Sequence, residues 1–281
     1  MKRIRLGEYN QLTALRRAEH GLYLDGGDEG DILLPTKYVP EGTQTGDVLN
    51  VFLYLDSEER LVATTEKPLA TVGDFAYLEV AWVNKFGAFL RWGLTKDLFC
   101  PFREQKMRMQ MGKSYIVHVH VDEESYRIVA SAKVEHFFTD EPPTYQRGEG
   151  VDLLIWQKTD LGFKVIVDNR YPALVYDDQV FKTVHTGDRM RGYVSAIRPD
   201  GKLDISLQPI GRRQVLDFSE TLLDWLQEHG GYCPLGDKSP AEDIKDRFHV
   251  SKKVFKQAVG DLYRQRAITI EDDGLHLTSI D

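Results

Sequence analysis

Apolar and polar residues alternate in short runs through most of the chain, and the period lengthens only near its end. Between residues 70 and 138 the runs are clearest. Leu78 to Val83 leads into a turn at Asn84-Lys85, and Ala88 to Trp92 and Leu98 to Pro101 follow. After a second turn at Gly112-Lys113, Tyr115 to Val121 alternates and Arg127 to Ser131 closes the set. Five strands in ~65 residues predict a small closed barrel, because an open sheet of that size leaves its edges exposed. The five-stranded OB barrel fits that count.

The pattern occurs three times. Gly7, Gly73 and Gly148 each open a segment; Gly21, Gly87 and Gly162 follow fourteen residues later, and Gly46, Gly112 and Gly187 thirty-nine residues after each opening. The third copy is displaced by a linker containing Pro142 and Pro143. From Gln214 the apolar period becomes about 3.6, with Val215, Phe218, Leu222 and Leu226 on one side of a helix that stops at Gly230-Gly231. A second helix is expected from Ser239, with Glu242 completing a capping box. A third follows Ser251, and Ala267 to Ile270 with Leu275 to Leu277 reads as a hairpin. Three helices and a two-stranded wing predict a winged helix. The expected fold is mainly β: three tandem five-stranded OB barrels over 1–69, 70–138 and 145–211, then an α+β winged-helix domain over 214–281.

Phe86-Gly87-Ala88-Phe89, a basic loop, Val117 to Val121 with Asp122, and Arg127 to Ser131 resemble the RNA-binding domain repeated in ribosomal protein S-one. Three such units followed by a helical C-terminal domain are similar to the conserved virulence factor B family of bacteria. That resemblance implies RNA binding and a role in post-transcriptional regulation. It also implies a site in which two aromatics stack on bases and a His, an Asp and an Arg complete the contacts. In the second copy the matching residues are Phe86, Phe89, Asp122 and Arg127, with Cys100 at the His position. The first copy offers His20, Tyr23, Asp56 and Arg60, with Leu34 at the His position. The third has Leu161 and Lys164 in place of the aromatics, Phe163 on the opposite parity, Tyr176 near the His position and Lys202 for the Arg.

Physical chemistry favours the same residue types. A π-face stacks on any base for about 1–3 kcal/mol, and neighbouring cations neutralise phosphates with little demand on sequence. Arg103, Lys106, Arg108 and Lys113 form the densest basic segment in the barrels. The competing reading turns Phe89 into the barrel interior and leaves this loop a solvated turn. In the winged helix, Lys252, Lys253 and Lys256 form the candidate surface, and DNA or a protein is the alternative partner.

Charge narrows these readings. The 281 residues hold 36 Lys and Arg against 44 Asp and Glu, a formal charge of -8, so nucleic-acid binding has to rest on local patches. Two cysteines, Cys100 and Cys233, provide no disulfide framework and suit a reducing cytoplasm. The charged start, Met1 to Asn10, lacks the apolar stretch of a secretory signal, and no run approaches a membrane span of ~20 residues. No cofactor is expected. Gly112-Lys113-Ser114 lacks the first glycine and the helix of a phosphate-binding loop. His118 and His120 are read as exposed, opposite a buried face of Val117, Val119 and Val121. Asp25, Asp28, Glu29 and Asp31 miss calcium-loop spacing and mark a hairpin tip. With no nucleophile elbow or paired zinc histidines, a non-catalytic RNA-binding protein is the expected function, with a protein-interaction scaffold as its alternative.

Overall fold

The computed structural model describes residues 4–180 and 183–278; the first three residues of the charged start lie outside them. Two compact units divide the chain, Met1–Thr139 and Asp140–Asp281. The first holds two closed barrels. One is built from β1 (Tyr9–Ala18), β2 (Gly21–Asp25), β3 (Asp31–Pro35), β4 (Val48–Leu55) and β5 (Leu61–Thr64), in the order β1-β2-β3-β5-β4. The other repeats that order with β6 (Phe75–Val83), β7 (Gly87–Leu90), β8 (Leu98–Pro101), β9 (Ser114–Val121) and β10 (Ile128–Ser131). In the second unit β11 (Gly150–Thr159), β12 (Gly162–Val167), β13 (Tyr171–Tyr176), β14 (Arg189–Ile197) and β15 (Leu203–Ser206) close a third barrel. Neighbours are antiparallel except where the third strand of each barrel meets the fifth in parallel.

The recurring glycine at the head of the second strand has a steric cause. A β-carbon at Gly21, Gly87 or Gly162 would lie 2.1, 2.4 or 2.0 Å from the carbonyl oxygen of Leu34, Cys100 or Val175 on the third strand. Only a residue without a side chain lets the two backbones approach so closely.

Strand β4 is buried on both faces. Val51 and Leu53 enter the first barrel's core, while Phe52 and Tyr54 point outward into the core of the second, beside Trp92 and Leu94. Phe52 meets Trp92 edge to face at 5.7 Å. Hydrogen bonds lace the same seam: Leu69 N to Trp92 O at 2.7 Å, Val72 N to Gly7 O at 2.8 Å, and Lys96 Nζ to the carbonyls of Leu55 and Asp56. The second barrel's core therefore extends across the seam onto the outer face of β4, while the first barrel keeps its own interior core.

Strand β9 repeats the arrangement with a different cover. The histidines expected at the surface are instead overlaid by Phe137 of the turn Val134–Phe137, while Phe138 stacks on Phe75. His118 is buried, its ring stacked on that of Phe137 at 4.1 Å and tilted against that of Phe75 at 4.7 Å. Alternation alone marked the outer face as polar, but the chain beyond the barrel folds back over it. Burial pushes His118 down to about 4, and neither His118 Nδ1 nor His120 Nδ1 has a hydrogen-bond partner.

The second unit ends in a winged helix: α1 (Arg212–Glu228), β16 (Tyr232–Cys233), α2 (Ala241–Phe248), α3 (Lys252–Arg264), β17 (Ile268–Glu271) and β18 (Gly274–Leu277). Phe218, Leu222, Leu226, Ile244, Phe255 and Leu262 form its core. Ser251 caps α3 by accepting from Val254 N at 3.3 Å. The expected cap of α2 is different: Pro240 occupies the N-cap and Ser239 Oγ accepts from Gly236 N, which closes the preceding turn. Strand β16, too short to show a period, adds a third strand in the order β16-β18-β17. No described helix is long and apolar enough to cross a membrane.

Two outcomes follow from this packing. Phe52→Ala should cost about 3–5 kcal/mol and loosen both barrels of the first unit in one transition, measurable by urea denaturation followed with tryptophan fluorescence. His118 binds protons more readily when unfolded, so the stability it contributes is complete above its ordinary pKa of 6.5 and declines as pH falls towards about 4. Denaturation midpoints should drop between pH 7 and pH 5, and His118→Phe should flatten that drop.

Candidate nucleic-acid interface

The second barrel carries an aromatic row across three adjacent strands. A bulge at Ala81 shifts the register of β6 on β7, so that Trp82 stands opposite Phe89, and Phe89 in turn opposite Phe99 of β8. Trp82 and Phe89 lie parallel, with ring centroids 3.7 Å apart and planes within 2°. Phe99 continues the row at 4.9 Å from Phe89. Phe89 thus lies on the outer wall, between the inward-facing Ala88 and Leu90, which removes the reading that put it inside.

Phe86 stands at the rim, 62% exposed. Its backbone is fixed by Asn84 Oδ1, which accepts from Phe86 N at 2.8 Å and Gly87 N at 3.1 Å. Lys85 Nζ sits 5.0 Å above its ring. Trp82 Nε1 donates to Asp97 Oδ2 at 3.0 Å, which orients an indole that is itself 43% exposed. A cleft of about 770 Å³ opens beside the row, lined also by Tyr54, Lys96 and Arg127.

Cys100 is not part of this face. It points into the barrel core, where burial pushes its thiol up to about 12, and the outward residue of β8 is Phe99. Leu98-Phe99-Cys100 is apolar throughout, so alternation could not decide which residue faced out. Trp82 was legible: counting outward from the Asn84–Gly87 turn sets residue 82 against 89.

The basic loop carries less free charge than its sequence suggests. Arg103 pairs with Asp122 and, at 2.9 Å, with Glu124; Lys106 pairs with Glu135. Asp122 also accepts from the Ser125 hydroxyl, and that bond, with the Arg103 charge, holds its carboxyl below the usual range. Arg108 lies 3.5 Å over the Phe102 ring, and Arg127 pairs with Glu59 of the first barrel. Tyr126, 74% exposed, adjoins Arg127 with φ of 55°, a left-handed conformation that costs a non-glycine residue about 1 kcal/mol or more.

Positions equivalent to the aromatic row differ in the other barrels, although the bulge recurs in each. In the first they are Arg16, Tyr23 and Leu33, with the Arg16 guanidinium 4.0 Å over the Tyr23 ring. His20 is exposed at the β1–β2 turn, and Arg60 is held by Asp56 and Glu58. In the third they are Gln157, Lys164 and Leu174, with Lys164 Nζ 5.2 Å over Trp156 and Leu161 exposed. Phe163 lies on the other parity, as its position in the sequence implied, beneath Lys158. Tyr176 accepts from Arg198 Nη2 at 3.3 Å, and Lys202 is paired with Asp200 at 3.0 Å.

On the winged helix, Lys252 Nζ donates to Ser239 O and Lys256 is 3.1 Å from Asp237. Lys253 is exposed with no ion pair among the described residues. The wing tip gathers Glu271, Asp273 and His276, whose polar atoms lie within 4.8 Å of one another, so it presents acid where phosphate binding favours cations.

Two of these domains match known families. Residues 6–66 match the S1 domain, the domain named for ribosomal protein S-one, and residues 220–277 match the CvfB-like winged helix domain. Uncharacterized protein YitL of Bacillus subtilis is 25% identical over 277 residues, covering 96% of this chain and 92% of its own. Conserved virulence factor B of Staphylococcus aureus is 25% identical over 242 residues, 84% of this chain and 81% of that protein. A multidomain protein with nucleic acid binding domains from Streptococcus pneumoniae, 22% identical, aligns over 97% of this chain and 98% of its own with a TM-score of 0.43. The resemblance to conserved virulence factor B noted from the residues is thereby shown, and the S1 match supports nucleic-acid binding.

Trp82→Ala should leave the barrel folded, because the indole lies outside its core, and should weaken single-stranded nucleic-acid binding by about fivefold to a hundredfold. Fluorescence anisotropy with a labelled oligonucleotide, beside a melting curve for each protein, checks both parts.

Proposed function

We propose that this chain is a non-catalytic RNA-binding protein of the cytoplasm, which holds single-stranded RNA on tandem OB barrels in post-transcriptional control of gene expression. The outward row of Trp82, Phe89 and Phe99, with Phe86 at its rim, carries this reading. Exposed π-faces suit bases already free of a duplex, and stacking rewards every base alike. The domains matched by the chain are nucleic-acid-binding rather than catalytic, in keeping with a binding role.

Phe86 and Phe89 are the stacking residues in this reading. Asp122 orients Arg103, while Arg103, Lys106, Arg108 and Arg127 meet phosphates by exchanging their intramolecular partners. Tyr23 with Arg60 in the first barrel, and Tyr176 with Lys202 in the third, supply secondary contacts. Lys252, Lys253 and Lys256 form the winged helix's auxiliary surface. Taking the modules as 1–69, 70–138, 145–211 and 214–281, weak individual sites gain from effective concentration along one strand.

Phe86→Ala with Phe89→Ala should lower affinity for oligouridylate by about tenfold to a thousandfold. The salt slope should remain near that of the unaltered protein, since no cation is removed. Unchanged affinity in anisotropy titrations defeats the stacking role.

A further inference from the structure

The cleft beside the aromatic row has a wall from each barrel of the first unit. Trp82, Phe86, Phe89 and Phe99 form one wall; Tyr54 and Glu59 belong to the other. Its volume of about 770 Å³ lies within the ~300–1,000 Å³ typical of small-molecule sites. Apolar rings on one side and a few polar groups on the other suit a nucleotide, whose base is flat and whose phosphate is anionic.

Two cations border this space, and both are engaged by the first barrel. Lys96 Nζ donates to Leu55 O at 2.9 Å and Asp56 O at 2.7 Å, and burial pushes its pKa down, so it is committed to the seam. Arg127 is paired with Glu59, its one side-chain partner among the described residues. Both side chains are about half exposed, so the pair is open to exchange. A guanidinium binds carboxylate and phosphate through the same planar fork of donors. A strand whose base enters the cleft and places its phosphate on Arg127 competes with Glu59 for the same guanidinium.

The backbone at Glu59 adds an independent observation. Glu59, Tyr126 and Gly201 each precede the residue that closes the turn between the fourth and fifth strands, with φ of 65°, 55° and 78°. Glycine occupies this left-handed position in the third barrel. The first barrel places a glutamate there, against the usual preference, and aims its carboxylate at the neighbouring barrel.

We propose that the cleft is a two-barrel nucleotide site in which Glu59 holds Arg127 in the free protein as an internal substitute for the backbone phosphate of a bound single strand. The proposal rests on the RNA-binding reading above and deepens it. Removing the Glu59 charge leaves Arg127 free for the phosphate. Glu59→Gln should therefore tighten binding by about threefold to tenfold. It should also steepen the dependence of log K on log salt modestly, because no released carboxylate is left to take up a counterion when the phosphate meets Arg127.

The test uses the full chain and 5′-fluorescein-labelled hexauridylate RNA, with anisotropy titrations across a range of NaCl concentrations. Unaltered protein, Glu59→Gln, Arg127→Gln and the double variant are compared, and melting curves confirm that all four fold. The expected result is tighter binding by Glu59→Gln and no difference between Arg127→Gln and the double variant. Equal or weaker binding by Glu59→Gln overturns the proposal. So does an undiminished gain in the Arg127→Gln background, which would make Glu59 a general repulsive charge. Absence of binding by both unaltered protein and Glu59→Gln would defeat the RNA-binding reading itself, and the proposal with it.

Discussion

Burial of β4 on both faces is the constraint from which the first unit follows. A strand with Val51 and Leu53 inside one barrel and Phe52 and Tyr54 outside it cannot leave the outer pair in water, because each exposed side chain of that size forfeits about 1.5–3 kcal/mol of burial. The second barrel covers them, and in doing so brings the β4–β5 turn beside its aromatic row. Without Phe52 against Trp92 there would be no seam to hold Lys96, no facing wall and no contact between Glu59 and Arg127. Packing that first serves stability thus sets the dimensions of the candidate binding cleft.

Much of this architecture was legible because backbone chemistry leaves periodic marks. The glycine spacing located all three barrels, since Gly21, Gly87 and Gly162 answer the same steric demand. The switch to a helical period located the winged helix. What stayed hidden was whatever depends on contacts distant in sequence. Alternation gave His118 and His120 an outward direction but could not reveal the turn that covers them. An apolar Leu98-Phe99-Cys100 run has no parity signal, so Cys100 was assigned to a face that belongs to Phe99. Trp82 sits opposite Phe89 by hairpin counting, yet the family pattern drew attention only to the aromatics around the turn.

Electrostatics show the same division. Composition reported an acidic chain with a basic stretch in the second barrel, and the structure shows that the basic stretch is largely accounted for. Arg103, Lys106 and Arg127 each have carboxylate partners, and all three cations are about half exposed, so solvent weakens the pairs. On the proposed reading, such a protein would meet an anionic polymer through exchange of ion pairs. Affinity would then lean on stacking, and the net charge of -8 would not oppose that reading.

The bulge in the first strand of every barrel has a wider consequence. It recurs in all three copies while the residues it presents change from Arg16 and Tyr23 to Trp82 and Phe89, and then to Gln157 and Lys164. Framework and contact chemistry are therefore written at separate positions, as in a set of identical sockets fitted with different tips. Duplicated copies arranged like this can diverge in surface chemistry without renegotiating their folding, and one chain can keep an aromatic face beside a cationic one.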